Sequence, residues 1–173
     1  MVNMITLRTR GLRAVVLASM VVGQASDSWI VRKNSVGPVR FGISLAQLNT
    51  TIQEKFVLPE DKDERKCFYV EPKGHPHVGF MIEHGRVARV DVTGPGVQTA
   101  EGIQVGDTEK RALQVYGGKL KVEPHAYTGP EGHYLTAYSD DGKYGIRFET
   151  DGKKIDGFYA GLAGAISYIE GCS

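Results

Sequence analysis

Leu45, Leu48, Ile52 and Phe56 recur at intervals of three, four and four residues, the spacing of an apolar stripe along one side of a helix. Ser44 directly precedes the stripe and Gln47 follows three residues later, so a capping box is expected to open this helix. A shorter stripe runs through Ala112, Val115 and Tyr116, with Thr108 as its expected N-cap and Gly117-Gly118 as its stop. Arg111 occupies the place where a capping box would need Glu or Gln, so this second opening relies on the threonine alone. After each helix the pattern turns to strand type. Phe80, Ile82, Val87, Val90 and Val92 belong to runs split by the hairpin signal His84-Gly85. Ile146, Phe148, Ile155 and Phe158 flank Asp151-Gly152, a stronger turn signal because both residue types tolerate positive φ. The expected product is a helix followed by a three- or four-stranded antiparallel meander, made twice, with each helix covering one face of a sheet.

Laying the chain on itself strengthens that expectation. Phe41-Gly42-Ile43-Ser44 falls on Val105-Gly106-Asp107-Thr108, and Val57-Leu58-Pro59-Glu60 falls near Lys121-Val122-Glu123-Pro124. Cys67-Phe68-Tyr69-Val70 aligns loosely with Tyr134-Leu135-Thr136-Ala137, and the run from Val78 to Val87 matches Tyr144 to Ile155 with two extra residues at the second turn. The landmarks keep their order at a spacing of about 64 residues, which reads as one supersecondary unit present twice. The expected division is a first copy over 29–94 and a second over 98–173, packed into one compact α+β body and joined through Thr93-Gly94-Pro95-Gly96.

This arrangement resembles the family of tandem-repeat exported proteins typified by the beta-lactamase inhibitory protein. A single similar unit occurs in the outer-membrane assembly lipoproteins of the SmpA/OmlA type. The resemblance rests on Phe41-Gly42-Ile43-Ser44-Leu45-Ala46-Gln47 and Val105-Gly106-Asp107-Thr108-Glu109-Lys110, followed by Tyr116-Gly117. These look like the family's helix opening, hydrophobic-Gly-x-Thr. The chain departs from the family in showing one clear helix per copy instead of two, and in a cysteine pair that would join the copies instead of closing within each. The resemblance implies a fold and a style of binding. It carries no inhibitory residue onto this chain, because fold and function are separable.

The first 25 residues have a different character. They hold no acid, their charges are Arg8, Arg10 and Arg13, and an apolar run of about nine residues from Ala14 to Val22 leads into Gly23-Gln24-Ala25. This is the layout of a secretory signal, with cleavage expected near Ala25. The rival, a buried N-terminal helix, would be amphipathic, whereas this run is apolar all round. The run is too short to span a bilayer, which takes about 20 residues, and no later segment approaches that length. The mature chain is therefore expected to be periplasmic or secreted, with no membrane span.

Composition adds three constraints. Hydrophobic residues at 41% and charged residues at 24% are values of a globular protein, and the 22 glycines suit short strands and many turns. Lys plus Arg number 21 and Asp plus Glu 20, so the chain carries no electrostatic footprint for nucleic acid. Removing the signal takes away three arginines and no acid, leaving 18 basic residues against 20 acidic ones and a formal charge of −2. The two cysteines, Cys67 and Cys172, suggest one disulfide in an exported chain. A metal site is the rival, but the pair lacks any C-x-x-C spacing. The bridge would close a loop of more than 100 residues and contribute about 4–5 kcal/mol in the chain-entropy picture.

Candidate chemistry is sparse. His75-Pro76-His77 is the sharpest local feature, since His-x-His on a strand would put two imidazoles on one face as metal ligands, with Glu83, His84, His125 or His133 as a third. Gly74 and Pro76 instead put the pair in a turn. Asp61, Asp63 and Glu64 are interleaved with Lys62, Arg65 and Lys66 and lack the glycine and closing glutamate of a calcium loop, so they read as a solvated loop. Asp140-Asp141-Gly142 is a turn signal, and the sequon Asn49-Thr50-Thr51 falls on the first helix. The chain contains no Gly-x-Ser-x-Gly elbow, P-loop or dinucleotide fingerprint, so no catalytic residue or cofactor is assigned.

Aromatic residues gather in the second copy, where Tyr127, Tyr134, Tyr138, Tyr144, Phe158, Tyr159 and Tyr168 accompany His125 and His133. The polar, glycine-punctuated segment from His125 to His133 is expected to project as a binding loop. Binding candidates are therefore His125, Tyr127, Glu131, His133 and Tyr138, and the metal candidates are His75 and His77. The leading expectation is an exported, non-catalytic binding or envelope-associated module that recognises a protein or cell-wall component through its sheet surface and this loop. The alternatives are a small metal-dependent or hydrolytic periplasmic enzyme using the histidines, and a purely structural domain.

Overall fold

Capping chemistry and glycine conformation decide where the regular elements begin in the computed structural model, which describes residues 29–172. Three two-residue strands, β1 (Val31–Arg32), β2 (Ser35–Val36) and β3 (Val39–Arg40), form a small antiparallel ribbon ahead of α1 (Leu45–Ile52). A meander follows in β4 (Cys67–Val70), β5 (Val78–Glu83) and β6 (Arg86–Val92). The second half contains α2 (Glu109–Tyr116), β7 (Lys121–Pro124), β8 (His133–Tyr138), β9 (Tyr144–Thr150) and β10 (Ile155–Leu162). The chain is thus a mixed α+β fold. Its main sheet has the order β4-β5-β6-β10-β9-β8-β7, with every neighbouring pair antiparallel. The two meanders meet along β6 and β10, where Val92 faces Phe158 and Val90 faces Ala160.

The helix openings correspond bond for bond. Gly42 N donates to Val87 O at 2.7 Å, Val87 N to Ile43 O at 2.9 Å and Leu45 N to Gly85 O at 3.0 Å. In the second half Gly106 N donates to Ile155 O, Ile155 N to Asp107 O and Glu109 N to Lys153 O, each at 2.9 Å. Gly42 and Gly106 both sit at φ +91°, a region that residues with a Cβ rarely enter. The strand that each opening bonds to, β6 and β10, carries an extra residue in the ladder, Ala88 between Val87 and Arg89, and Asp156 between Ile155 and Gly157.

Ser44 forms the full capping box with Gln47, whereas the Thr108 hydroxyl accepts from Arg111 N with no reciprocal bond. Replacing Thr108 with alanine leaves that amide unsatisfied. The T108A variant is expected to lose about 1 kcal/mol in denaturant unfolding without change of slope.

The core lies between the helices and one face of the sheet. Leu45 and Leu48 of α1 and Ala112 and Tyr116 of α2 pack with Phe80, Ile82, Val90, Ile146, Phe148 and Phe158. No helix among the described residues is long and apolar enough to cross a membrane.

Two expectations are corrected. The stripe through Phe56 overruns the helix, which ends at Ile52 with Gln53 in the left-handed region at φ 56°. The Asn49 side chain captures the Phe56 backbone at both its N–H (3.1 Å) and its carbonyl (3.0 Å), so Phe56 reaches the core from a loop. Val57–Glu60 forms no strand to match β7, because Arg65 pins the carbonyls of Pro59 and Glu60 (2.7 and 3.1 Å) into the loop before β4. The ribbon β1–β3 was not anticipated at all, since two-residue strands are too short to show a period. The expected signal segment, residues 1–25, lies outside the described residues.

Candidate functional site

Strand alternation sends the polar half of each ladder to the sheet face turned away from the helices. Tyr69, Met81 and Arg89 share one row across β4, β5 and β6, and Asp91, Tyr159, Arg147 and Thr136 share the next across β6, β10, β9 and β8. Such a face would ordinarily be wet. Here two segments fold over it.

The first is the tail after β10. A short 3-10 turn, Ala165–Ser167, buries Ile166 so closely on β9 that a Cβ on Gly145 would lie 2.4 Å from the Ile166 side chain. The tail then passes Arg89, which is 3% exposed and uses all five of its donors. Nε and Nη2 hold the two Asp91 carboxylate oxygens at 2.7 and 2.8 Å, and Nη2 also reaches the Tyr69 hydroxyl at 3.0 Å. Nη1 donates to the carbonyls of Ala165 and Tyr168 at 3.0 and 2.9 Å. The guanidinium lies over the Tyr159 ring, 4.2 Å from its centroid. The tail ends in the disulfide from Cys172 to Cys67 on β4, with Cα atoms 5.2 Å apart.

The second segment is the stretch from His125 to His133, whose residues 126–131 are exposed while His125 at its base packs down on the sheet. His125 stacks on Tyr134 with ring centroids 4.4 Å apart, and its Nδ1 accepts from the amides of Tyr127 and Thr128 at 3.1 and 3.3 Å. Its Nε2 lies 3.7 Å from a Glu149 carboxylate oxygen. The imidazole therefore acts as an internal brace, leaving Tyr127 at the tip, 65% exposed. The Tyr127 phenol donates to Glu170 of the tail, so the two covering segments are tied together.

Between the tail, the loop before β4 and Tyr127 lies a cleft of about 900 Å3. Tyr127, Tyr168, Ile169 and the disulfide form its apolar walls, and Asp63, Glu64, Glu83 and Glu170 supply carboxylates, with Lys66 as its cation. Tyr168 donates to Glu83 at 3.0 Å, and Lys66 lies 2.7 Å from Asp63.

No family model, curated protein or solved structure matches this chain. The site therefore stands on its own geometry.

Of the five candidate binding residues, Tyr127 lines the cleft, together with the anticipated cysteine pair. The other four lie elsewhere. His133 is turned toward α2, where its Nδ1 is 3.0 Å from Glu109 Oε2, the same oxygen that the Thr150 hydroxyl binds. Glu131 is exposed on the 3-10 turn Gly129–Glu131, and Tyr138 is exposed at the end of β8. The metal candidates diverge. His75 stacks on Trp29 at 3.8 Å, whereas the His77 ring lies against Gly94 with its own backbone at φ 71°. Among the described residues no group of three His, Cys, Asp or Glu side chains is placed to hold a metal ion. Reasoning from sequence passed over Arg89, Ile169 and Glu170, and counted Tyr168 among the gathered aromatics without making it a binding candidate. The available signal was an arginine in an otherwise apolar strand, Val87-Ala88-Arg89-Val90, at a position facing away from the core.

Tyrosines on both sides of the sheet resist ionisation. Burial, followed by the Asp91 charge, pushes Tyr69 up to about 12, and burial raises Tyr116 and Tyr159 as well. The hydrogen bonds to Glu170 and Glu83 raise Tyr127 and Tyr168, because a phenolate would face a carboxylate. An elevated phenol pKa means that the folded state holds its proton after the unfolded state has lost it. This contribution to stability is full below about pH 10 and is lost as pH rises toward 12. Absorbance titration at about 295 nm is expected to show these tyrosines ionising only above the midpoint of the guanidinium-unfolded chain. A native titration superimposing on the unfolded one would refute the assignment.

Proposed function

We propose that this protein is an exported, non-catalytic binding module that recognises a protein or cell-wall component at the cleft beside its disulfide. The observation that carries the reading is the cleft itself, with an exposed tyrosine on each of two segments converging on one concavity. Tyrosine combines large contact area with a polar tip at low entropic cost, and concave sites gather such groups. Export to the periplasm or medium is supported by the basic-then-apolar N-terminal pattern and by a disulfide, which persists in oxidising compartments.

The reading includes duplication. The two halves are taken as copies of one unit, of the kind found in the tandem-repeat exported proteins that the helix openings resemble. The matching hydrogen bonds, the two glycines at φ +91° and the matching bulges support it. On this view the second copy contributes the tail and Tyr127, and the first contributes Cys67 and Glu83.

The test passes envelope and culture-medium fractions of the parent organism over immobilised wild-type protein and over a Tyr127→Ala/Tyr168→Ala variant. The wild type is expected to retain a component that the variant releases. Retention of the same set by both proteins, or of nothing by either, would count against the module.

A further inference from the structure

We infer that β7 is a docking edge for a second copy of this chain, the two β7 strands pairing antiparallel about a two-fold axis at Val122. β7 is the last strand of the main sheet, and among the described residues nothing pairs with its outer side. Its ladder with β8 decides which peptide groups face outward. His125 N donates to Gly132 O at 2.9 Å, and the register pairs Glu123 with Tyr134 and Lys121 with Thr136. Bonded and non-bonded pairs alternate along an antiparallel ladder, so Lys121 and Glu123 turn their N–H and C=O toward β8. Those of Val122 therefore point away from the sheet, as does the carbonyl of Pro124. Leu120, extended at φ −89° and ψ 123°, continues the alternation outward. A proline suits this strand, since at an outward position its missing N–H costs no ladder bond.

This edge is complementary to itself. With Val122 opposite Val122 of the second copy, each valine N–H donates to the other's carbonyl, and each Leu120 N–H meets a Pro124 carbonyl across the axis. The same register sets Lys121 opposite Glu123 on both sides of the axis. These side chains lie on the sheet face away from the helices, where Lys121 Nζ is 2.8 Å from Glu123 Oε1 and Arg147 Nη2 is 3.3 Å from Glu123 Oε2. Pairing places two lysines and two glutamates in alternation across the seam, and opposite charges facing each other stabilise adjacent strands. On the other face the two Val122 side chains, each 48% exposed, cover one another. β4, at the opposite edge of the sheet, reads Cys67-Phe68-Tyr69-Val70 and holds no charged pair to match. A contact of β7 with β7 closes at two copies, whereas one of β4 with β7 would propagate. The seam is short of the area that a permanent dimer buries, so a weak and reversible association is expected. No wall of the cleft belongs to β7, so the two sites stand or fall separately.

The experiment is sedimentation velocity on the disulfide-intact protein from about 10 µM to about 1 mM, with amide spectra over the same series. Wild type is expected to pass reversibly from monomer to dimer, with concentration-dependent shifts centred on residues 120–124. Val122→Pro removes the outward N–H and no bond to β8. It is expected to weaken the dimer by about thirtyfold, through the loss of one hydrogen bond from each copy. Val122→Lys keeps the backbone donors but sets like charges opposite each other at the axis, and a weakening of about fivefold is expected. Circular dichroism at the lowest concentration checks that each variant is folded, and the lysine variant covers the case in which proline disturbs β8. A wild type still monomeric at about 1 mM would overturn the dimer, including the case in which the β7 amides shift only on addition of a foreign strand. A dimer that neither variant weakens would overturn its placement at β7, and growth beyond two copies would overturn the two-fold arrangement.

Discussion

Replacing Arg89 with methionine is expected to destabilise the protein by about 3–5 kcal/mol, the cost of breaking a buried ion pair by removing one partner. The size follows from what is left behind. Asp91 loses both of its bonds to the guanidinium, and the carbonyls of Ala165 and Tyr168 lose their side-chain donors under the tail. The Tyr69 hydroxyl loses its donor too, while still facing Asp91 at 2.9 Å. Methionine fills the space and satisfies none of these groups. Urea unfolding of R89M measures the effect, and a loss below about 1 kcal/mol would show that the network contributes little. The double variant Arg89→Met/Asp91→Asn separates charge from packing. Removing the orphaned carboxylate charge is expected to restore part of the loss. Arg89→Lys keeps the charge but has three donors in place of a five-donor fork, so it is expected to fall between wild type and R89M.

The second large effect belongs to the bridge. Cys67 and Cys172 are separated by 105 residues, and the Cys67→Ser/Cys172→Ser variant is expected to lose about 4–5 kcal/mol as the unfolded chain regains that loop's freedom. Set against a total stability of about 5–15 kcal/mol for an ordinary domain, this is a large share. The loss should also be uneven. Ile166 is fully buried and Arg89 grips Ala165, so the start of the tail stays seated, whereas residues 169–172 are held by the bridge together with the bond from Tyr127 to Glu170. Hydrogen exchange is therefore expected to rise most over 169–172 in the variant, the stretch that forms one wall of the cleft. Uniform exchange across the chain would disprove this account.

The parts of the fold visible in the sequence are those governed by neighbouring residues. Gly42 and Gly106, Ser44 and Thr108, and the Gly117 stop announce the helix ends because each acts through backbone groups within a few positions. His84-Gly85 announces its hairpin, and both residues adopt positive φ, 49° and 74°. The site is hidden for the opposite reason. His125 looks like a loop ligand until the tertiary fold brings Tyr134 beneath it and turns its Nδ1 toward the amides of Tyr127 and Thr128. Arg89 looks like one polar residue on a wet face until the tail, some 76 residues later, lies down across it. No local pattern encodes either approach, and the cleft is made almost wholly of such approaches. The cysteines were the exception, because an expected export signal and an even count link distant positions without knowledge of the path between them.

The seam between β6 and β10 has a consequence for how the molecule is assembled. Each meander is built from hairpins that close soon after synthesis, but the ladder from Val92–Phe158 to Arg89–Gly161 unites strands distant along the polypeptide. Until that zipper engages, both innermost strands are bare edges rich in valine and aromatic side chains, which invite pairing with a neighbouring molecule. The interval before the halves join is thus the moment of greatest danger for the newborn chain, and docking at the centre is what ends it.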